Sequence, residues 1–248
     1  MLVPHLIKPF LRQMLRSRLY VFDLLTEAKR IGYRLKRRKV IDAYLSAHSC
    51  RKLQIGGGKT SIPGWLNSDL YPVSSSTIFL DAIEPFPFDE NSFDYIHSEH
   101  MIEHISFHQG GGMLRECFRV LKPGGTLRIS TPDLAVYLDL FSEPRNNSQN
   151  NFIDWVSSQW LSKQGILEPR PSHVLNLAMH AWGHLFIYDK KTLESALLQA
   201  GFTAAKSYSC GESEDVHLTG LETHGVFIGN TDMNEFESLT IEACKPCT

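Results

Sequence analysis

The chain has 248 residues, of which 42% are hydrophobic and 21% are charged, which is enough for one substantial core. Its first segment lacks both the apolar run of about 20 residues that spans a bilayer and the roughly 7 to 15 apolar residues of a secretory signal. Five scattered cysteines are typical of free thiols in a reducing compartment rather than of a disulfide framework. We therefore expect a cytoplasmic protein without a transmembrane segment.

The N-terminal region is strongly basic. Residues 1–40 contain eleven Lys or Arg against two acidic residues, whereas the rest of the chain is net acidic. Apolar residues at helical spacing, interrupted by Gly32, predict two helices between Leu6 and Leu45. We interpret residues 1–48 as a basic helical extension. It is either a cap packed on the body, or residues 1–45 dock to nucleic acid or to an anionic membrane surface, which would make the protein peripheral to a membrane.

After Cys50 the chain alternates between strand and helix patterns. Helices are predicted at 112–121 and 191–200. Strands are predicted at 51–55, 65–70, 76–80, 93–98, 126–130, 206–209 and 238–243. This alternation predicts an α/β fold with a doubly wound, mostly parallel, seven-stranded sheet covered on both faces.

Residues 140–183 interrupt the alternation and predict a helical insertion after the fifth strand. The segment combines a polar stretch at 146–151 with Trp155 and Trp160. Such an insertion forms a lid or a wall of the substrate site, or is a plain helical decoration.

The glycine loop at 56–58 directly follows the first predicted strand, so that the backbone can approach a ligand closely. A phosphate-binding loop is disfavoured because the motif needs a glycine five positions before Gly58, where this chain has Leu53. A dinucleotide site is disfavoured because Pro63 and Gly64 cut short any helix, and Asp69 comes only 13 residues after the first glycine. A carboxylate such as Asp69 suits the two hydroxyl donors of a ribose.

Three segments carry a resemblance to a known family. In order, KLQIGGGKTSIPGWLNSDL, FLDAIEPFPFDENSFDYIHSEHMIEHI and ECFRVLKPGGTLRISTPDL resemble the class I methyltransferases that use S-adenosylmethionine, of the type 11-like kind. The resemblance covers about residues 51–134, and HLFIYDKKTLESALLQAGF at 184–202 is similar to a later helix of the family. It implies a Rossmann-like methyltransferase domain over residues 49–248, with S-adenosylmethionine as cofactor and S-adenosylhomocysteine as product.

The resemblance also implies a cofactor site. It places the glycine loop against the amino acid portion of the cofactor, Asp69 on the ribose hydroxyls and Asp81 beside the adenine. The chain departs from many relatives at Gln54, where they carry an acid. The predicted cofactor residues are Ile55, Gly56, Gly57, Gly58, Asp69, Leu70, Asp81, Ala82, Ser98 and Glu99.

Four histidines lie close together in the sequence. His100, His104 and His108 follow the i, i+4, i+8 spacing of one helix face, and His97 precedes them. Four ligands on one straight helix cannot surround a single ion, so we expect no metal site.

Methyl transfer to an oxygen or nitrogen needs a base when the acceptor must lose a proton. His184 is the first candidate, since imidazole titrates near working pH. The alternative for His184 is a structural histidine packed beside Trp182 and Phe186. The full set of predicted catalytic residues is His184, His100, His104 and Asp133.

The predicted function is S-adenosylmethionine-dependent methyl transfer to a small molecule or glycan. One alternative is a nucleic-acid or ribosome methyltransferase whose basic extension binds phosphates, although the body is net acidic. Another is a non-catalytic binding or scaffold protein that retains the fold. The intact Gly56, Gly58, Asp69 and Asp81 argue against the scaffold.

Overall fold

The computed structural model describes residues 29–247, and a seven-stranded sheet forms its centre. The strand order is β3-β2-β1-β4-β5-β7-β6, in which only β7 runs antiparallel to its neighbours. This order confirms the predicted doubly wound, mostly parallel sheet. The strands are β1 (Lys52–Ile55), β2 (Leu66–Asp69), β3 (Ile78–Phe79), β4 (Phe93–Glu99), β5 (Leu121–Pro132), β6 (Thr203–Tyr208) and β7 (Ser238–Cys244).

Helices connect and flank these strands. They are α1 (29–47), α2 (Phe107–Val120), α3 (Leu134–Asp139), α4 (Asn147–Val156), α5 (Pro171–His180), α6 (Lys190–Ala200), α7 (His224–Ile228) and α8 (Thr231–Glu237). None of the helices within residues 29–247 combines the length and the apolar character that a membrane span requires. The five cysteines are free.

Helix α2 begins five residues earlier than its hydrophobic pattern predicts. Ser106 and Gln109 form a capping box, in which the Ser106 side chain accepts from the Gln109 amide and the Gln109 side chain accepts from the Ser106 amide. The helix ends at Val120, shortly before Pro123, which cannot continue a helix. The buried face of α2 packs into the main core through Met113, Leu114 and Cys117.

Helix α1 packs on the body. The break predicted at Gly32 is wrong, because the helix runs without interruption from 29 to 47. Ile41 and Tyr44 are buried in the main core, and the Tyr44 hydroxyl accepts from the Lys52 amide at 2.9 Å. This packing outweighs the small helix penalty of one glycine. The part of the predicted extension before residue 29 lies outside the described residues.

The predicted helical insertion after the fifth strand is confirmed. Helices α3, α4 and α5, with short π-helical and 3₁₀ turns over Ser157–Leu161 and Ser162–Gln164, follow β5. Their apolar side chains form a second hydrophobic cluster, separate from the main core, that includes Phe152, Val156 and Val174. A third, small cluster contains Trp65, Leu218 and Leu221. The site described next lies between the main core and the cluster of the insertion.

Candidate active site

The carboxyl ends of β1, β2 and β4 meet at one edge of the sheet. Strand β1 pairs with β2 on one side and with β4 on the other, so that Ile55 lies opposite both Ser68 and Ser98. The strand order reverses between β1 and β4, which is where ligands bind in open α/β sheets. Gly56 turns the chain here at φ 70°, and a Cβ at this position would overlap Met101. Only glycine allows this close approach.

A cavity of about 340 Å³ lies at this edge, and we call it the glycine-loop cavity. It contains four of the ten predicted cofactor residues, namely the three loop glycines and Glu99. Ile55 and Ser98 are buried within β1 and β4. The lining residues are Gln54, Gly56, Gly57, Gly58, Lys59, Thr60, Glu99, His100, Thr223, His224 and Phe227.

Neither Asp69 nor Asp81 lines the cavity, although Asp69 contacts one of its lining residues. The Asp69 carboxylate ends β2 and accepts from the Gly58 amide at 2.8 Å and from the Tyr71 amide at 2.7 Å. Asp81 follows β3 and accepts from the Ile83 amide at 3.2 Å. Leu70 and Ala82, the other two predicted residues, are half-buried neighbours of these carboxylates. Asp69 thus fixes the glycine loop, and its carboxylate keeps further acceptor capacity.

Glu99 holds a distant segment over the cavity. Its carboxylate accepts from the Thr223 amide at 2.8 Å and from the His224 amide at 2.9 Å, at the start of α7. Burial raises the pKa of Glu99, and these two backbone hydrogen bonds counteract part of the rise. Thr223, His224 and Phe227 were not predicted as site residues. No motif in the sequence marks them, because only the fold brings α7 to this edge.

Gln54 replaces the acid expected from the resemblance, and its side chain lines the glycine-loop cavity. The residue is buried, and its Oε1 atom has no hydrogen-bond partner among the described residues. A buried acceptor without a partner costs free energy, typically about 1 to 3 kcal/mol. A ligand that donates a hydrogen bond to Gln54 would recover this cost.

A second cavity of about 300 Å³ adjoins the first and shares His100, His224 and Phe227 with it. We call it the aromatic cavity. Trp160 contacts Trp155 and Trp182, each with ring centroids 5.1 Å apart. The lining residues are His100, Glu103, His104, Pro132, Trp155, Trp160, Trp182, His184, His224, Phe227, Ile228 and Glu237. Tryptophans of the insertion therefore form a wall of this cavity.

The histidines after β4 do not lie on one straight helix, contrary to the prediction. His100 has φ 44°, a single 3₁₀ turn covers Ile102–His104, and α2 begins only at Phe107. His100 and His104 line the aromatic cavity, whereas His108 is exposed. The left-handed residue at position 100 breaks the helical spacing that the sequence suggests.

His100 and Glu103 form a buried ion pair. His100 Nδ1 lies 3.4 Å from Glu103 Oε1, and the second ring nitrogen of His100 is hydrogen-bonded to Ser238 Oγ at 3.0 Å. Burial alone would lower the pKa of His100, but Glu103 outweighs it and raises the pKa. The same contact holds the pKa of Glu103 below its ordinary value despite complete burial. At neutral pH, Glu103 is therefore an anion.

His184 reaches the aromatic cavity from a distant segment. The carbonyl of Glu103 accepts from the amides of Leu185 and Phe186 at 2.7 and 3.2 Å, which attaches this segment beside the 3₁₀ turn. The rings of His184 and His104 are 5.0 Å apart. Burial lowers the pKa of His184, so that its imidazole is neutral at pH 7.

Asp133 does not line either cavity. Its side chain caps helix α3 by accepting from the Ala135 amide at 2.9 Å, and burial raises its pKa. The structure thus brings three of the four predicted catalytic residues together and leaves Asp133 in a capping position.

Residues 67–129 match a family model described as a methyltransferase domain. A search of curated proteins finds no match to the chain. Together with the strand order, the family match confirms the predicted class I methyltransferase domain and S-adenosylmethionine as its methyl donor.

Several solved structures are similar to the chain at low identity. An S-adenosylmethionine-dependent methyltransferase from Archaeoglobus fulgidus is 16% identical, with 85% of this chain and 93% of that chain covered and a TM-score of 0.45. One from Thermotoga maritima is 14% identical, with 86% and 93% covered and a TM-score of 0.45. A phosphoethanolamine N-methyltransferase from Haemonchus contortus is 16% identical, with 79% and 49% covered and a TM-score of 0.43.

Proposed function

Because residues 67–129 carry a methyltransferase domain that uses S-adenosylmethionine, we propose that the protein methylates an oxygen or nitrogen of a small molecule or glycan bound in the aromatic cavity. The observation that carries this proposal is the junction of the two cavities at His100, His224 and Phe227. A cofactor in the glycine-loop cavity and an acceptor in the aromatic cavity would meet there. Methyl transfer needs this close, in-line approach away from water.

The cofactor roles in this proposal follow the predicted map. Asp69 accepts from the ribose hydroxyls, and Asp81 with Ala82 contacts the adenine. Glu99 lies beside the methionine portion, with Ser98 buried behind it. We add Gln54 as an acceptor for the cofactor ammonium group, since the residue lines the cavity and its buried Oε1 atom has no partner among the described residues.

The chain's own residues then guide the chemistry. The acceptor atom forms a bond to the methyl carbon as the carbon–sulfur bond breaks, and the electron pair stays on sulfur. The lone pair of the neutral His184 assists the loss of the acceptor proton, with His100 and His104 beside it. The tryptophan walls exclude water and favour an apolar or aromatic acceptor.

The cofactor site is tested by calorimetric titration with S-adenosylhomocysteine. Asp69→Ala should weaken binding by roughly 1 to 3 kcal/mol, because charged hydrogen bonds to the ribose are lost. Asp89→Ala is the control, since Asp89 is an exposed carboxylate outside both cavities. Equal affinities of Asp69→Ala and the unmodified chain would overturn the cofactor map.

A nucleic-acid acceptor is the second candidate, and the basic surface of α1 favours it. Lys36, Arg38 and Lys39 are exposed on this helix. If these residues bind phosphates, methylation of RNA should fall steeply as the salt concentration rises. It should also fall when the three residues are replaced by Gln. A screen with labelled cofactor over small molecules, glycans and RNA separates the candidates. Incorporation into RNA alone would overturn the small-molecule proposal.

A further inference from the structure

We propose that Glu103, His104 and His184, which all line the aromatic cavity, bind a divalent transition-metal ion there. One potential ligand atom from each residue lies within 4.8 Å of the other two. Two imidazoles and one carboxylate are a ligand set that suits zinc, cobalt and related ions, with further positions open to substrate.

One buried polar atom in this cluster, Nδ1 of His184, has no hydrogen-bond partner among the described residues. Native proteins rarely leave such an atom unsatisfied, so it indicates a missing partner. Oε1 of Glu103, whose side chain is completely buried, has only the 3.4 Å ion pair with His100 Nδ1 and makes no hydrogen bond among the described residues. Both residues line the aromatic cavity. A cation between these two atoms would give His184 Nδ1 a partner and would add a second charged contact to Glu103.

Neighbouring groups orient these ligands as metal sites require. The other carboxylate oxygen of Glu103 accepts from Thr131 Oγ1 at 3.0 Å. His104 Nδ1 lies 3.4 Å from the Gly183 carbonyl, so that a proton on Nδ1 leaves the Nε2 lone pair free. Hydrogen bonds of this kind from outer residues commonly fix the rings and carboxylates that bind metals.

A second cluster of His100, His224 and Glu237 is a weaker candidate. The rings of His100 and His224 are stacked, with centroids 4.0 Å apart. His100 has both nitrogens engaged, one by Ser238 and one by Glu103. The Glu237 carboxylate accepts from the Tyr137 hydroxyl at 2.5 Å. Contacts within the protein thus already engage His100 and Glu237, two of the three members of this cluster.

The use of the ion rests on the proposed function, whereas its binding does not. An acceptor hydroxyl bound to the ion would lose its proton to solvent, because a bound cation lowers the pKa of an oxygen ligand. The oxygen then attacks the methyl carbon, and S-adenosylhomocysteine leaves. With the ion bound, the Nδ1 lone pair of His184 binds the ion instead of the acceptor proton, and the ion takes the place of His184 as the group that activates the hydroxyl. An ion at this position therefore predicts that the methylated group of the acceptor is a hydroxyl rather than an amine.

Cobalt(II) titration of the untagged, metal-depleted full chain, followed by visible absorption, tests the site. We expect one equivalent to bind and excess zinc to displace it. His104→Ala and His184→Ala should each weaken binding by about tenfold or more, because each removes one ligand. His108→Ala is the control, since this exposed histidine lies four residues from His104, and should bind as the unmodified chain does.

Failure to bind stoichiometric cobalt, or unchanged binding in His104→Ala and His184→Ala, would overturn the proposal. Loss of binding in His224→Ala with both of those variants unaffected would instead assign the ion to the second cluster. Titration of the same samples with S-adenosylhomocysteine separates the two proposals. Cofactor binding without cobalt binding contradicts only the metal site, and cobalt binding without cofactor binding contradicts only the methyltransferase proposal.

Discussion

Arg128 is a completely buried charge whose position depends on two acidic partners. Its guanidinium donates to Glu222 through Nε at 2.6 Å and Nη2 at 3.0 Å, and to Glu242 through Nη1 at 2.6 Å. Strand β5 supplies the arginine, β7 supplies Glu242, and the segment before α7 supplies Glu222. This network connects the sheet to the segment that Glu99 holds over the glycine-loop cavity.

We predict that Glu222→Gln lowers the free energy of unfolding by about 3 to 5 kcal/mol, because it leaves a buried guanidinium with a single carboxylate. Urea denaturation measures the loss. Asp42→Asn is the control, since Asp42 and Arg38 form an exposed pair on α1, and it should leave Tm unchanged. A variant at position 222 as stable as the unmodified chain would contradict this account of Arg128.

The same carboxylate should make stability depend on pH in the acid range. Burial would raise the pKa of Glu222, but Arg128 outweighs it and lowers the pKa below its ordinary value of 4.5. The stabilisation is therefore complete above pH 4.5 and is lost as pH falls through the lower folded-state value. Unfolding curves between pH 6 and 3 should decline less steeply for Glu222→Gln. Parallel declines would show that Glu222 is not the responsible group.

Helix α2 contains three consecutive glycines at 110–112. The surroundings of Gly110 and Gly111 differ. A Cβ on Gly110 would overlap the hydroxyl of Tyr188 and lie 3.4 Å from the Ile102 side chain. A Cβ on Gly111 would meet only the end of the Arg115 side chain, at 3.6 Å. The contact at Gly110 lets α2 approach the segment that follows His184.

Alanine at these two positions should have opposite effects. Gly110→Ala should destabilise the protein by about 1 to 3 kcal/mol through overpacking. Gly111→Ala should be neutral or stabilise by up to about 1 kcal/mol, because alanine favours helix. Thermal unfolding of the two variants tests this, and a stabilising Gly110→Ala would show that α2 does not pack as described.

The candidate active site lies between the main core and the hydrophobic cluster of the insertion. The main core supports the sheet and the glycine loop, whereas the insertion builds its own cluster and contributes Trp155 and Trp160 to the aromatic cavity. We predict that cofactor and acceptor binding depend on different parts of the chain.

Trp160→Ala should separate the two binding steps, because Trp160 contacts both other tryptophans of the aromatic cavity. The affinity for S-adenosylhomocysteine should stay within about twofold, while methylation of the acceptor found by the screen falls at least about tenfold, mainly through a higher KM. Calorimetry and steady-state kinetics measure the two effects. An unchanged KM would exclude this wall from the acceptor site.

Local patterns in the sequence predict much of the fold and one part of the candidate site. Alternating apolar runs indicate the strands, and the glycine loop with its downstream Asp69 indicates the edge of the sheet where we propose that the cofactor binds, because these signals lie within short stretches of chain. A local pattern also led to the wrong prediction of a helix at the histidines. The i, i+4, i+8 spacing after His100 suggests a helix, but a left-handed residue interrupts it.

Tertiary structure alone decided which distant residues meet. His224 and Phe227 reach the glycine loop because Glu99 accepts from the amides at the start of α7. His184 approaches Glu103 and His104 because backbone hydrogen bonds join segments about 80 residues apart. Such pairings depend on the sheet order and on packing between the two clusters, and neither composition nor spacing along the chain encodes them locally. The sequence by itself therefore determined the methyltransferase fold and the position of the glycine loop, whereas the proposed acceptor cavity and its cluster of histidines required the folded chain.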